Sequence, residues 1–149
     1  MVFNLILHEG TDSIKFGMSH GQIQSIIGKK PTLFQKSKFD NDMTEDYSGV
    51  CHVYYEGTEC VSFEFFAPSQ VFYNDVQLLG QERTYIETLL SGLDGYIGAS
   101  DMFSYYNGDL GFYTPNGKIE SVSISCEGLA AKQREYYEKC FEKEFGQFK

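Results

Sequence analysis

The side chains of this chain that could do chemistry are three histidines, four cysteines and a run of carboxylates. Cys51 and His52 are adjacent and Cys60 follows nine residues later, which is raw material for a zinc site or a nucleophilic thiol. Zinc needs its ligands on one side in tetrahedral geometry, whereas neighbours on a strand point to opposite faces. His8, His20 and His52 also lie far apart in sequence, so no metal site is expected. A thiol nucleophile must be a thiolate, and acidic surroundings raise a thiol pKa. Asp40 and Asp42 are spaced like a pair for acid-base work on a glycosidic bond, but the polar stretch around them predicts too much water for the necessary pKa separation. The sequence has no phosphate-binding loop, no GxGxxG before a helix, no HExxH and no GxSxG. The expectation is a protein that is not an enzyme and carries no cofactor.

The elements that must position these residues are marked by an internal repetition. Gly17 is followed by Ile23, Ile26 and Ile27, and Gly80 by Ile86, Leu89 and Leu90, one pattern at a shift of 63. Tyr54-Tyr55-Glu56-Gly57 likewise matches Tyr105-Tyr106-Asn107-Gly108, and alternating strands follow, with Val61, Phe63 and Phe65 in one unit and Val122, Ile124 and Cys126 in the other. Such repeats mis-direct the whole fold if missed. They predict an α+β domain over 1–149, with an antiparallel sheet built from two tandem helix-then-strands units at about 14–73 and 80–126, and a C-terminal helix over about 129–148.

Local signals sharpen the boundaries. Met1 to Leu7 reads as a strand or apolar arm. Ser19 with Gln22 fits a capping box, and Gly28 followed by Pro31 fits a helix stop, so the first helix presents Ile23, Ile26 and Ile27. The polar stretch from Gln35 to Gly49 reads as a loop, twelve residues longer than its counterpart, and long insertions on a scaffold are common sites of function. A hairpin follows at 50–55 and 60–66 around Glu56-Gly57, with Phe63 and Phe65 facing the helix, and a third strand at 71–73. The second helix spans about 83–90, a loop 94–101, a hairpin 102–106 and 110–114, and a last strand 119–126 whose Ser121, Ser123 and Ser125 face outward. Leu129, Tyr136, Tyr137, Cys140, Phe141, Phe145 and Phe148 make a helical stripe expected to cover one end of the sheet, with a homodimer interface as its other use.

Charge narrows the class of partner. The chain of 149 residues nets −9. Between Phe39 and Gly117, Arg83 is the one base against thirteen acids, a local net of −12. That imbalance opposes nucleic-acid binding, which demands Lys and Arg, and suits a basic protein surface. No segment approaches the ~20 apolar residues of a membrane span, and the N-terminus lacks a basic flank and cleavage site. Membrane contact is therefore not expected, and the reading places the chain in the cytoplasm. There its four scattered cysteines would act as small hydrophobes.

The run Ile14-Lys15-Phe16-Gly17-Met18-Ser19, with Ile23, Ile26, Ile27, Gly28 and Pro31 after it, resembles the opening of small bacterial helix-plus-sheet modules of the β-lactamase-inhibitor-protein-like fold. It is similar also to cytosolic immunity proteins that neutralise toxins delivered by neighbouring bacteria in contact-dependent growth inhibition. The resemblance implies a protein-binding inhibitor, and the charge implies a basic target such as a nuclease. The residues expected to bind it are Asp40, Asp42, Glu45, Asp46 and Tyr47 in the acidic loop, with Tyr54, Glu56, Glu59, Tyr106 and Asp109 at the hairpin tips. The alternative is a small-ligand-binding or dimeric scaffold module with a Tyr- and Phe-lined pocket between the two units.

Overall fold

A computed structural model describes residues 1–146; the expected helix end at 147–148, with Phe148, lies outside the described residues. Strands β1 (Val2–Ile6) and β2 (Gly10–Thr11) lead into helix α1 (His20–Ile27), then β3 (Thr32–Phe34), β4 (Thr44–Tyr47), β5 (Cys51–Glu56) and β6 (Glu59–Phe66). After β7 (Gln70–Tyr73) and β8 (Val76–Gln77) come α2 (Arg83–Leu89), β9 (Ile97–Gly98), β10 (Met102–Tyr105), β11 (Leu110–Tyr113), β12 (Ser121–Ser125) and α3 (Leu129–Phe145). The fold is α+β, with an eight-stranded antiparallel sheet ordered β3-β4-β5-β6-β12-β11-β10-β9 and a four-stranded sheet ordered β2-β1-β7-β8.

Helix α1 forms for the reasons its sequence gives. Ser19 Oγ accepts from the Gln22 backbone at 3.2 Å and Gln22 Oε1 accepts from the Ser19 backbone at 2.9 Å, closing the capping box. Gly28 ends the helix in the left-handed region at φ +75°. The shift of 63 reappears in burial: Ile23 and Ile86 are buried, as are Ile27 and Leu90, while Ile26 and Leu89 are both exposed. Ile26 therefore does not belong to the core face. Gly17 and Gly80 also bond alike, although their partners Cys60 and Ile119 stand 59 apart. Gly17 N donates to Cys60 O at 2.8 Å and Cys60 N to Met18 O at 2.9 Å; Gly80 N donates to Ile119 O at 2.8 Å and Ile119 N to Gln81 O at 2.9 Å. Each pair of bonds ties a helix entry to the start of the strand that will meet its counterpart at the centre of the sheet, where β6 and β12 pair through Phe63 with Ile124 and Phe65 with Val122.

One face of the large sheet carries Cys51, Val53, Tyr55, Phe63, Phe65, Phe103, Tyr105, Phe112, Val122 and Ile124, all buried, and shares one core with Phe3, Leu5, Ile23, Val71 and Ile86 from the small sheet and the helices. At an apolar burial of 1.5–3 kcal/mol per large side chain, this layer supplies the main driving force for folding.

Several expectations are corrected. The 35–49 stretch is not all loop, because β4 lies within it, paired to β3 and β5. The strand at 71–73 is β7, which pairs in parallel with β1 in the small sheet and does not extend the hairpin. The 94–101 segment contains β9, paired to β10. Ser125 is buried, unlike the half-buried Ser121 and Ser123. Tyr54-Tyr55 and Tyr105-Tyr106 close strands that hold different places in the sheet, third from one edge for β5 and second from the other for β10. Helix α3 does not bury its stripe: Leu129 is its buried residue, while Tyr136, Phe141 and Phe145 are exposed.

Candidate functional site

The alternation of β4 through β12 decides which polar residues reach a surface. Loop 35–43, the β5–β6 turn, the β10–β11 connection and the start of α3 all lie at the same end of the large sheet, because Phe34, Thr44, Tyr54, Ser62 and Ser125 share one row of its register. A cleft of about 260 Å³ opens there, lined by Asp40, Asp42, Tyr54, Glu56, Lys132, Tyr136 and Tyr137 among others.

Its walls are tied down. Asp40 Oδ2 accepts from the Ser37 backbone at 3.1 Å, the Gln35 side chain donates to the Asp40 carbonyl at 3.0 Å, and Asp40 Oδ1 accepts from the Tyr137 hydroxyl. Tyr136 donates its hydroxyl proton to the Phe39 carbonyl at 2.8 Å, and Lys38 pairs with Glu144. At the other end of α3, Asp109 accepts from the backbone of Gly128 at 2.8 Å and Ala130 at 3.0 Å. The free N–H groups of a helix start are satisfied in this way, here by a residue nineteen positions upstream of Gly128.

The electrostatics of the cleft favour a cation. The Tyr54 phenol is pushed up to about 12, first by burial and then by the carboxylates of Asp40, Asp42 and Glu56. Burial, followed by the hydrogen bond to Asp40, raises Tyr137 in the same direction. Lys132 already reaches Glu56 Oε2 at 3.4 Å, an exposed pair of little energetic weight.

Four of the ten expected binding residues meet here: Asp40, Asp42, Tyr54 and Glu56. Glu59 is exposed on the neighbouring strand, opposite Glu56 in the hairpin register. The others are placed elsewhere. Glu45 is 4% exposed and Tyr47 fully buried, because β4 turns both side chains to the inner face. There Glu45 Oε1 accepts from Tyr47 at 3.1 Å and from Tyr55, while Glu45 Oε2 contacts His20 Nδ1 at 3.1 Å. Asp109 is 5% exposed and spends both oxygens capping α3. Tyr106 is half-buried, and its ring packs edge-on against His8 at 5.0 Å. Asp46 lies on the outer face, 3.3 Å from His52 Nε2. The residues that sequence reasoning missed are Tyr136, Tyr137 and Lys132. Tyr136 and Tyr137 stand on the helical stripe read from the sequence and Lys132 does not, but the bond from Tyr137 to Asp40 spans 97 positions and leaves no local signal.

The catalytic candidates fare as their surroundings dictate. Burial pushes the Cys51 thiol up to about 12 and the Cys60 thiol up to about 11, so neither is poised as a thiolate at neutral pH. All four cysteines are free. Among the described residues, no group of three or more His, Cys, Asp and Glu is placed to hold a metal ion, and no helix is long and apolar enough to cross a membrane.

The chain matches no family model, no curated protein and no solved structure. The resemblance of residues 14–31 to the inhibitor-like modules therefore stands on those residues alone.

Proposed function

We propose that this chain is a cytoplasmic protein-binding inhibitor, an immunity protein that neutralises a basic bacterial toxin, most simply a nuclease, by docking it on the acidic end of the large sheet. The observation that carries this reading is the convergence of Asp40, Asp42, Tyr54 and Glu56 with two further tyrosines in one open cleft. A nuclease must present Lys and Arg to hold phosphates, and a cleft of carboxylates and tyrosine rings offers such side chains both charge and a stacking face. The two thiols considered for catalysis, Cys51 and Cys60, are pushed up by burial. Where a pocket between the two units was expected, the sheet is hydrogen-bonded across β6 and β12.

Immunity genes usually lie directly downstream of their toxin genes. The test is to express the polypeptide encoded immediately upstream in a bacterial host, with and without this chain. Growth arrest relieved by this chain, together with a complex that high salt weakens, supports the reading. A harmless upstream product, or an arrest this chain does not relieve, overturns it.

A further inference from the structure

The acidic cleft has two kinds of wall, and one cation of this chain already stands at it. Tyr54, Tyr136 and Tyr137 supply rings, the last two 5.7 Å apart and inclined at 57°, while Asp42 and Glu56 supply carboxylates. Lys132 lines the same cleft and brings its ammonium to 3.4 Å from Glu56 Oε2, with 73% of its side chain in solvent. So exposed a pair has little weight, and a better-fitting cation can displace it.

What the cleft leaves unpaired is a set of acceptors. Asp40 is spent, since one oxygen accepts from the Ser37 backbone and the other from Tyr137. Asp42 lines the cleft, and its carboxylate has no hydrogen bond or ion pair among the described residues. Thr44 pairs with Tyr54 in the register, so the two side chains stand on one face of the sheet. Thr44 is fully buried and its hydroxyl has no partner among the described residues, an uncommon state for a buried polar group. Free acceptors beside flat rings call for a planar cation rich in donors. A guanidinium has five N–H donors in a fixed fork, is weakly hydrated and stacks on aromatic faces, whereas an ammonium is a strongly hydrated point charge.

We propose that the cleft seats one arginine side chain of the basic partner, its guanidinium laid against the tyrosine rings and held by Asp42 and Glu56, and that Lys132 is the internal cation it displaces. The source of the arginine rests on the inhibitor reading; the site itself can be tested without any toxin.

The chain alone is titrated with Nα-acetyl-arginine methylamide, and with its lysine and norleucine counterparts, at constant ionic strength, and the ring signals of Tyr54, Tyr136 and Tyr137 are followed by NMR. The expected result is a saturable response to the arginine probe in the millimolar range, at least about threefold weaker for lysine and absent for norleucine. Asp42→Asn should weaken arginine binding by about tenfold. Lys132→Gln should strengthen it by about two- to fivefold, the weight of an exposed ion pair. Lys139→Gln removes the same charge from the same helix, where Lys139 is paired with Glu135, and should leave the affinity nearly unchanged. The proposal is overturned by no saturable response, by equal responses to the three probes, by an Asp42→Asn variant that binds as the parent does, or by equal strengthening in the two lysine variants. A failed titration beside a relieved growth arrest rejects the arginine site and leaves the inhibitor reading standing; a saturable titration beside an arrest that is not relieved does the reverse.

Discussion

Glu45 shows how a residue can be read correctly as polar and wrongly as exposed. Its carboxylate sits inside because two tyrosine hydroxyls and the His20 ring supply the hydrogen-bonding groups that water would otherwise provide. The arrangement joins the first residue of α1 to β4 and β5, with the His20 ring stacked 3.7 Å from Tyr55. Burial, and then Glu45 itself, raise the Tyr55 phenol far from ionisation. Glu45→Leu would leave these donors unpaired in the core, at a cost of roughly 2–4 kcal/mol, read as a fall in melting temperature; an unchanged midpoint would show the network to be incidental. Glu64 makes the complementary case on the outer face. It is held down at about 2 from an ordinary 4.5, first by His52 and then, against an opposing burial effect, by Lys36. Lys36 Nζ lies at 3.1 Å and His52 Nδ1 at 3.3 Å from its Oε1. A carboxylate with a lowered folded-state pKa stabilises above its unfolded value and loses that contribution as pH falls through the folded one. With its side chain 30% exposed, the contribution is about 1–2 kcal/mol after screening. Glu64→Gln should therefore lower stability at pH 6–7, and the gap to the parent protein should close between pH ~4.5 and ~2. A gap independent of pH would contradict this account.

At the scale of elements, α3 depends on a contact outside itself. Gly128 precedes it at φ +82° and offers no side-chain cap, so Asp109 performs that role from the β10–β11 connection. Asp109→Ala should cost about 1–2 kcal/mol and reduce the helical circular dichroism signal, since this cap secures the first turn of the helix; Asp109→Asn should recover part of it, because an amide oxygen still accepts. Equal loss in both variants would point to the charge instead of the cap. The contrast between α1 and α3 explains what the sequence could disclose. Helix α1 was legible because Ser19, Gln22 and Gly28 are local signals read within one turn. The hairpin at β5 and β6 was legible because its apolar alternation is complete. Strand β4 was not, since Thr44-Glu45-Asp46-Tyr47 looks polar until partners distant in sequence satisfy Glu45. The stripe of α3 was visible as a period of apolar residues, but a period does not say whether anything covers it. The cleft was legible by half for the same reason: its acids and Tyr54 lie close in sequence, while Tyr136 and Tyr137 arrive from the far end of the chain.

At the scale of the whole molecule, charge and topology act together. Two four-stranded halves meet at β6 and β12, which leaves α1, α2 and the small sheet to close the core on one face. Because the connections that bear Asp40, Asp42, Glu56 and Glu59 emerge at one end, an acidity spread along the sequence becomes a local field. Oppositely charged proteins steered by such a field associate at up to 10⁸–10⁹ M⁻¹s⁻¹ at low salt, against about 10⁵–10⁶ without steering. The carboxylates differ in what else they do. Asp40 holds the loop through Ser37 and holds α3 through Tyr137, so replacing it would confuse field with fold. The Asp42 and Glu59 carboxylates have no hydrogen bond or ion pair among the described residues, and the Glu56 carboxylate has only its long contact with Lys132. Asp42→Asn, Glu56→Gln and Glu59→Gln together should therefore leave the unfolding free energy within about 0.5 kcal/mol of the parent for each site changed. The same variant should slow association with the proposed basic partner by roughly tenfold or more at low salt and flatten the salt dependence of the rate. On the proposed reading dissociation should change much less, because the aromatic contacts of a docked partner with Tyr54 and Tyr136 would set its rate. Stopped-flow association across a salt series separates the two contributions. An unchanged slope against salt would move the binding face away from this end of the sheet, whereas a slower dissociation-independent encounter would fix it there.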